Sequence, residues 1–217
     1  MKRIKLFAAL ALSAVLLLTN LYMTEKSQAS GSAYIVINAE DNKVLMESNA
    51  QARLPMASTT KVMTALIVLE NAPTDLLVTV PEDAVRVEGS SMYLKEGEEL
   101  TVLELLYGLM LSSGNDAALA LAYAVGGTPE GFVELMNEKA QVLGLKNTHF
   151  VNPHGLHDAD HYTSAYDLAL ICSEAMKNEI FREIVATKDK KFENPDTGEI
   201  RSVSYTHLRA HETEADL

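Results

Sequence analysis

Hydrophobic and polar residues alternate over two short β-branched runs, residues 33 to 38 and 43 to 47, and the polar stretch "AEDN" between them predicts a β-hairpin. From about residue 58 the period lengthens. Val62, Met63, Ala65, Leu66, Ile67, Val68 and Leu69 cover nearly the whole circumference of a helix running to about residue 70, and a helix apolar on all sides belongs at the centre of a domain. "LLVTVPEDAVRVEGSSMYLKEGEEL" alternates and is broken by Pro81 and Gly89, which predicts short strands or extended loops. Thr101 and Glu104 then stand in capping-box spacing, so a helix starts near Val102 and stops at "SSGN". "DAALALAYAVGG" is a second helix closed by Gly126 and Gly127, and a third follows with Pro129 in its first turn. Three helices joined by tight turns predict a helical subdomain over residues 101 to 145. "KNTHFVNPHGLHDADHYT" reads as loop. "SAYDLALICSEAMKNEIFREIV" reads as one final helix, with Ser164 as its cap and Asp167 at the reciprocal position.

The first 29 residues follow a different pattern. Basic "MKRIK" precedes the 13-residue run "LFAALALSAVLLL", and "TEKSQA" ends in small residues, an order that predicts a secretory leader cleaved after Ala29. The run is shorter than the roughly 18 to 20 residues that span a bilayer, which counts against an uncleaved anchor. The expected location is therefore extracytoplasmic, in the cell wall or periplasm. Cleavage removes four of the 18 basic residues and one of the 30 acids, leaving 14 against 29 and a formal charge of −15. So acidic a domain repels nucleic acid and anionic membrane surfaces. Cys172, the single cysteine, falls at helical spacing among apolar residues and has no partner for an internal disulfide.

"PMASTTKVMTALIVLE" places Lys61 one turn after Ser58, at the head of the apolar helix. Three residues apart, the two side chains share a face with Cβ atoms about 5 to 6 Å apart. Burial penalises the ammonium and favours a neutral amine, which can take a proton from the serine. The helix N-terminus favours negative charge on an oxygen bonded there. Ser58 is then a nucleophile and Lys61 its base. The competing reading makes Ser58 a helix cap and sends Lys61 to solvent. In "LMLSSGNDAALA", Ser113, Gly114 and Asn115 form a turn that presents a second hydroxyl and a carboxamide, suited to proton transfer and to hydrogen-bonding a peptide, or simply to capping. "HGLHDADH" supplies His154, His157, Asp158, Asp160 and His161, the ligand types of a zinc site, and hence a metal-dependent hydrolase as a rival.

The two serine motifs, about 50 residues apart behind a leader, resemble the serine D-alanyl-D-alanine carboxypeptidases, the low-molecular-weight penicillin-binding proteins of the peptidase S11 family. The resemblance covers residues 33 to about 200. "AYIVINAEDNKVLMESNAQARLPMASTTKVMTAL" matches the opening strands and the S-x-x-K helix, "MLSSGNDAALALA" the S-x-N turn, and "GLKNTHFVNPHGLHDADHYTSAYDLALI" the segment after it. It implies an α/β (α+β) penicillin-binding, β-lactamase-like fold: an antiparallel sheet with flanking helices and an all-helical subdomain. It also implies that Ser58 attacks the carbonyl between the last two D-alanines of a peptidoglycan stem peptide, Lys61 acts as base, Ser113 relays the proton to the departing D-alanine, and Asn115 orients the substrate. No cofactor or metal is implied, and β-lactams are expected as covalent inhibitors. The family's K-T-G strand finds no match after residue 115, since Thr197 and Gly198 follow Asp196 where the lysine should stand. The expectation is therefore an incomplete sheet over residues 30 to 200 and a non-native tail over 201 to 217, whose polar pattern forms no buried strand. Membrane association would depend on a C-terminal segment beyond this chain. A β-lactamase, which carries Ser-Asp-Asn at the turn, fits less well than the carboxypeptidase. A non-catalytic wall-binding module of the same fold is the alternative outside enzymology.

Overall fold

The computed structural model describes residues 32–193, 198 and 200–205. The expected leader over 1 to 29 and most of the expected tail lie outside the described residues. The chain opens with strands β1 (Tyr34–Ile37) and β2 (Val44–Ser48), an antiparallel hairpin in which Tyr34 faces Ser48 and Ile37 faces Val44. The hairpin matches the alternation in the sequence. Strand β3 (Leu54–Pro55) leads into a single 3-10 turn, Ala57–Thr59, and then into helix α1 (Thr60–Asn71). Strand β4 (Leu77–Thr79) pairs antiparallel with β5 (Glu99–Thr101), and a short helix α2 (Glu82–Val85) lies between them. The alternating stretch gave no sign of α2, which begins with the two acids Glu82 and Asp83 where the helix dipole favours them.

Helix α3 (Val102–Leu111) starts on the expected capping box. The Glu104 N–H donates to Thr101 Oγ1 at 3.2 Å, and the Thr101 N–H donates to Glu104 Oε2 at 2.8 Å. Helix α4 (Asn115–Gly126) ends at Gly127, whose φ of 73° suits a residue without a Cβ. Helix α5 (Pro129–Val142) has Pro129 in its first turn and Thr128 as its cap. Within the stretch read as loop, strand β6 (Tyr162–Thr163) pairs with β3 across more than 100 residues.

The single final helix of the sequence reading is two helices, α6 (Ala165–Ala175) and α7 (Glu179–Ala186). Asn178 Oδ1 accepts the N–H groups of Ile180 and Phe181, so it caps a new helix instead of continuing the old one. Ser164 caps α6 as expected, but Asp167 does not reciprocate. Its carboxylate turns to the Asn147 N–H at 2.7 Å and the Thr148 hydroxyl at 2.9 Å. The chain then forms β7 (Asp189–Glu193) and β8 (Ile200–Ser204), an antiparallel pair. Val203 in β8 is 2% exposed, so the expectation of no buried strand from that residue onward does not hold for its first residues.

Helix α1 is the hub. It packs against α3, α4, α5, α6 and α7, and residues from Met63 to Val68 are buried on every side. The strands form four separate two-stranded antiparallel sheets among the described residues, and Leu45 (63% exposed) and Met46 (57%) on β2 lie open. No helix among the described residues is long and apolar enough to cross a membrane. Thr101→Ala keeps the N–H that bonds Glu104 but removes the Oγ1 acceptor, so it is expected to lower the unfolding free energy by about 1 kcal/mol, read by denaturant melting.

Candidate active site

The 3-10 turn that carries Ser58 follows Ala57, whose φ of 46° is left-handed and costs an alanine roughly 1 to 2 kcal/mol. Neighbouring groups hold it there. The Thr60 hydroxyl donates to the Ala57 carbonyl at 2.8 Å, and Gly155 lies directly over that oxygen. A Cβ at Gly155 would stand 1.9 Å from it, and the φ of 93° at Gly155 also demands glycine. Ser58 itself is exposed at the surface of the turn.

One turn further on, Lys61 is 2% exposed. Its Nζ donates to the His154 carbonyl at 2.6 Å and stands 3.2 Å from Ser58 Oγ. Burial lowers the Lys61 pKa to about 8, and the negative charge of Asp116 opposes that shift. At pH 7 about a tenth of the amine is then neutral. On the next turn the Thr64 hydroxyl donates to the Pro153 carbonyl at 2.6 Å. Helix α1 therefore carries a polar edge, and the segment 153–161 is bonded along it.

His161 completes that edge. The Val151 N–H donates to its Nδ1 at 3.1 Å, so the ring hydrogen resides on Nε2 and is donated to Thr60 Oγ1 at 2.7 Å. The ring is neutral. Burial lowers the His161 pKa to about 4, with Asp158 opposing. Burial, followed by the charges of Lys61 and His161, lowers that of His154 to about 4 as well. His154 Nδ1 accepts the Leu156 N–H at 3.2 Å, and Asp158 Oδ1 accepts the Asp160 N–H at 2.7 Å. His154, His157, Asp158, Asp160 and His161 thus do not converge on a point, and no group of three or more potential ligands able to hold a metal occurs among the described residues. His154 and His161 brace α1 instead.

The turn between α3 and α4 brings in the remaining candidates. Ser113, at φ 54°, donates its hydroxyl hydrogen to Ser58 Oγ at 2.9 Å. Ser58, Lys61 and Ser113, predicted from two motifs far apart in sequence, meet at one oxygen. Asn115 is buried, its Nδ2 donating to the Glu88 carbonyl and its N–H to the Ser90 carbonyl, both at 2.7 Å. It ties the loop after Arg86 to the turn. Cys172 is half-buried on α6, and burial raises its thiol pKa, which suits packing and not nucleophilic chemistry. Asp196 and Thr197 lie outside the described residues.

Asp116 was not singled out from the sequence. It is 2% exposed, and its carboxylate accepts the Ser91 hydroxyl at 2.6 Å and the N–H groups of Met92 and Leu94 at 3.1 Å and Ala117 at 2.9 Å. The available signal was a charge heading the apolar run "AALALA", which reads equally well as an ordinary helix-dipole residue. The supporting roles of His154 and His161 were also missed, because one of them acts through its backbone carbonyl.

Mixed helices and antiparallel strands around a central S-x-x-K helix place this chain in the penicillin-binding, DD-peptidase fold class. The structure of D-alanyl-D-alanine carboxypeptidase DacD from Francisella tularensis superposes with a TM-score of 0.73 at 34% identity, over 83% of this chain and 45% of that one. The Streptomyces K15 DD-transpeptidase superposes with a TM-score of 0.73 at 37% identity, over 80% and 72% respectively. The sequence profile of the peptidase S11 family, D-alanyl-D-alanine carboxypeptidase, matches residues 20–214, and the chain belongs to that family. D-alanyl-D-alanine carboxypeptidase DacF of Bacillus subtilis is 42% identical over 168 residues, and DacA of Escherichia coli is 40% identical over 177. Those alignments take in 75% and 76% of this chain and 43% of each relative, so the chain spans less than half the length of these relatives.

Two outcomes follow from the geometry. The base form of Lys61 appears as pH rises through its pKa, so the rate at which a small acylating reagent modifies Ser58 should climb with pH around a midpoint near 8. Lys61→Arg, which stays charged, should lower that rate by about 10²- to 10⁴-fold and abolish the rise. Separately, Gly155→Ala should displace 153–156 from α1, and a crystal structure of the variant should show the Lys61 to His154 carbonyl bond lost.

Proposed function

We propose that this protein is a serine-type D-Ala-D-Ala carboxypeptidase that removes the terminal D-alanine from peptidoglycan stem peptides through an acyl-enzyme on Ser58. The observation that carries the reading is the buried Lys61 amine 3.2 Å from an exposed serine hydroxyl. When Lys61 is neutral, its lone pair takes the Ser58 hydrogen as Oγ attacks the carbonyl between the last two D-alanines. The oxyanion forms beside Ser58 at the N-terminal end of α1, where the helix dipole favours negative charge. The C–N bond then breaks. Ser113, in contact with Ser58 Oγ at 2.9 Å, hands a proton to the departing amine, and the proton held by Lys61 replaces it. Water attacks the ester, the shortened peptide leaves as its carboxylate, and Ser58 is restored. Asn115, fixed in the wall beside Ser113, orients the substrate.

The same geometry would open a β-lactam ring and retain the product on Ser58, so β-lactams are covalent inhibitors in this reading. The substrate places the enzyme outside the cytoplasmic membrane, in keeping with the leader-like first 29 residues. Relatives named as D-alanyl-D-alanine carboxypeptidases support the choice of substrate. The metal-dependent alternative is disfavoured by the separate use of His154 and His161 along α1.

A fluorescent penicillin should label the protein one-to-one, and peptide mapping should place the adduct on Ser58. A peptide ending in D-Ala-D-Ala should lose one D-alanine in the absence and presence of a chelator alike, and Ser58→Ala should do neither. Labelling without turnover of the peptide would instead favour the wall-binding module.

A further inference from the structure

We infer that Asp116 is a positioning residue for acyl transfer at Ser58, fastening the loop 91–94 to the turn that carries Ser113 and Asn115 while holding a negative charge toward Lys61. This rests on the function proposed above. A carboxylate can only accept hydrogen bonds, and Asp116 meets donors on both oxygens. Oδ2 takes the Ser91 hydroxyl and the N–H groups of Met92 and Leu94, and Oδ1 takes those of Met92 and Ala117. Met92 and Leu94 are themselves buried, so their N–H groups depend on this partner.

The turn is built around that carboxylate. Gly114 has an ordinary φ of −62°, yet a Cβ there would stand 2.7 Å from Asp116 Oδ1. Glycine is needed in Ser113-Gly114-Asn115 to leave room for Asp116, not to satisfy the backbone. Asn115 adds its own two bonds to the carbonyls of Glu88 and Ser90. The loop and the turn therefore move as one piece, and the 2.9 Å contact between Ser113 and Ser58 depends on where that piece sits. Asparagine at position 116 would set an NH₂ group against backbone N–H donors and release the loop.

The charge has a second effect that a purely structural residue lacks. The charge of Asp116, on α4, acts on Lys61, and His154 lies against Lys61 on the segment along α1. His154 is neutral above about pH 4, whereas Asp116 favours the ammonium. Removing the anion should make Lys61 a weaker base that deprotonates at lower pH.

The test is the pH profile of Ser58 acylation by a fluorescent penicillin in the wild type, Asp116→Asn, Ser91→Ala and Gly114→Ala, each checked for folding by circular dichroism. Asp116→Asn should lower the plateau rate by about 10- to 100-fold, as expected when catalytic groups are misplaced, and should move the acid limb to lower pH. Ser91→Ala and Gly114→Ala retain the charge, so they should lower the plateau by roughly 2- to 10-fold with the limb in place, and Gly114→Ala should add little to Asp116→Asn. A folded Asp116→Asn with the wild-type limb overturns the inference whatever its rate. If that variant does not fold, wild-type plateaus in both Ser91→Ala and Gly114→Ala overturn it. A wild type that takes no label at Ser58 defeats the functional reading itself, which separates the two failures.

Discussion

A buried ammonium is costly to desolvate, and the residues around Lys61 are arranged to meet that cost. Left alone inside a protein, such a group would destabilise the fold by several kcal/mol. Here it has a carbonyl at 2.6 Å, a hydroxyl at 3.2 Å and an anion on the neighbouring helix, and burial still holds its pKa down at about 8. The carbonyl belongs to His154, so the segment 153–161 must lie along α1. Gly155 permits the close approach over Ala57, while Thr60 and Thr64 bind it at either end. The polar edge of an otherwise apolar hub follows from the requirement to bury one amine without leaving it unpaired.

Backbone strain accompanies the candidate site. Ala57 and Ser113 both adopt left-handed φ values without being glycine, and they flank or carry the two hydroxyls that meet at 2.9 Å. Strained residues of this kind persist only where their surroundings over-determine them. Thr60 and Gly155 do so for the first, and the Asn115 and Asp116 bonds to the loop 88–94 do so for the second. The four helices α3, α4, α5 and α6 contribute by enclosing α1, which gives each of these short-range restraints a firm base.

Features encoded by near neighbours were legible in the sequence. The β1–β2 hairpin, the capping box of α3 and the all-round apolarity of α1 depend on residues a few positions apart, and so does the Ser58 to Lys61 pair. The meeting of Ser113 with Ser58 needed the family resemblance, since 55 residues separate them. What escaped depended on long-range or backbone contacts. The two-residue strand β6 exists through its pairing with β3. Asn178 broke the last helix through a local cap that the surrounding helical pattern concealed. His154 and His161 drew attention as ligand types, yet one contributes a main-chain oxygen and the other a neutral ring. A carboxylate such as Asp116 reveals its purpose only when the loop it holds is in view.

The neutral imidazoles of His154 and His161 separate two responses to acidification. Lys61 gains its proton as pH falls through about 8, whereas each histidine, with an ordinary value of 6.5, resists protonation in the fold until about 4. A histidine whose folded value lies below its unfolded one withdraws support only once pH drops beneath the unfolded value. From about 8 down to 6.5, then, the neutral form of Lys61 is lost while the two histidines withdraw nothing from the fold, and raising the pH restores it. Further down, the same two rings begin to favour the unfolded chain, so mild acid charges the Lys61 amine reversibly well before it threatens the fold.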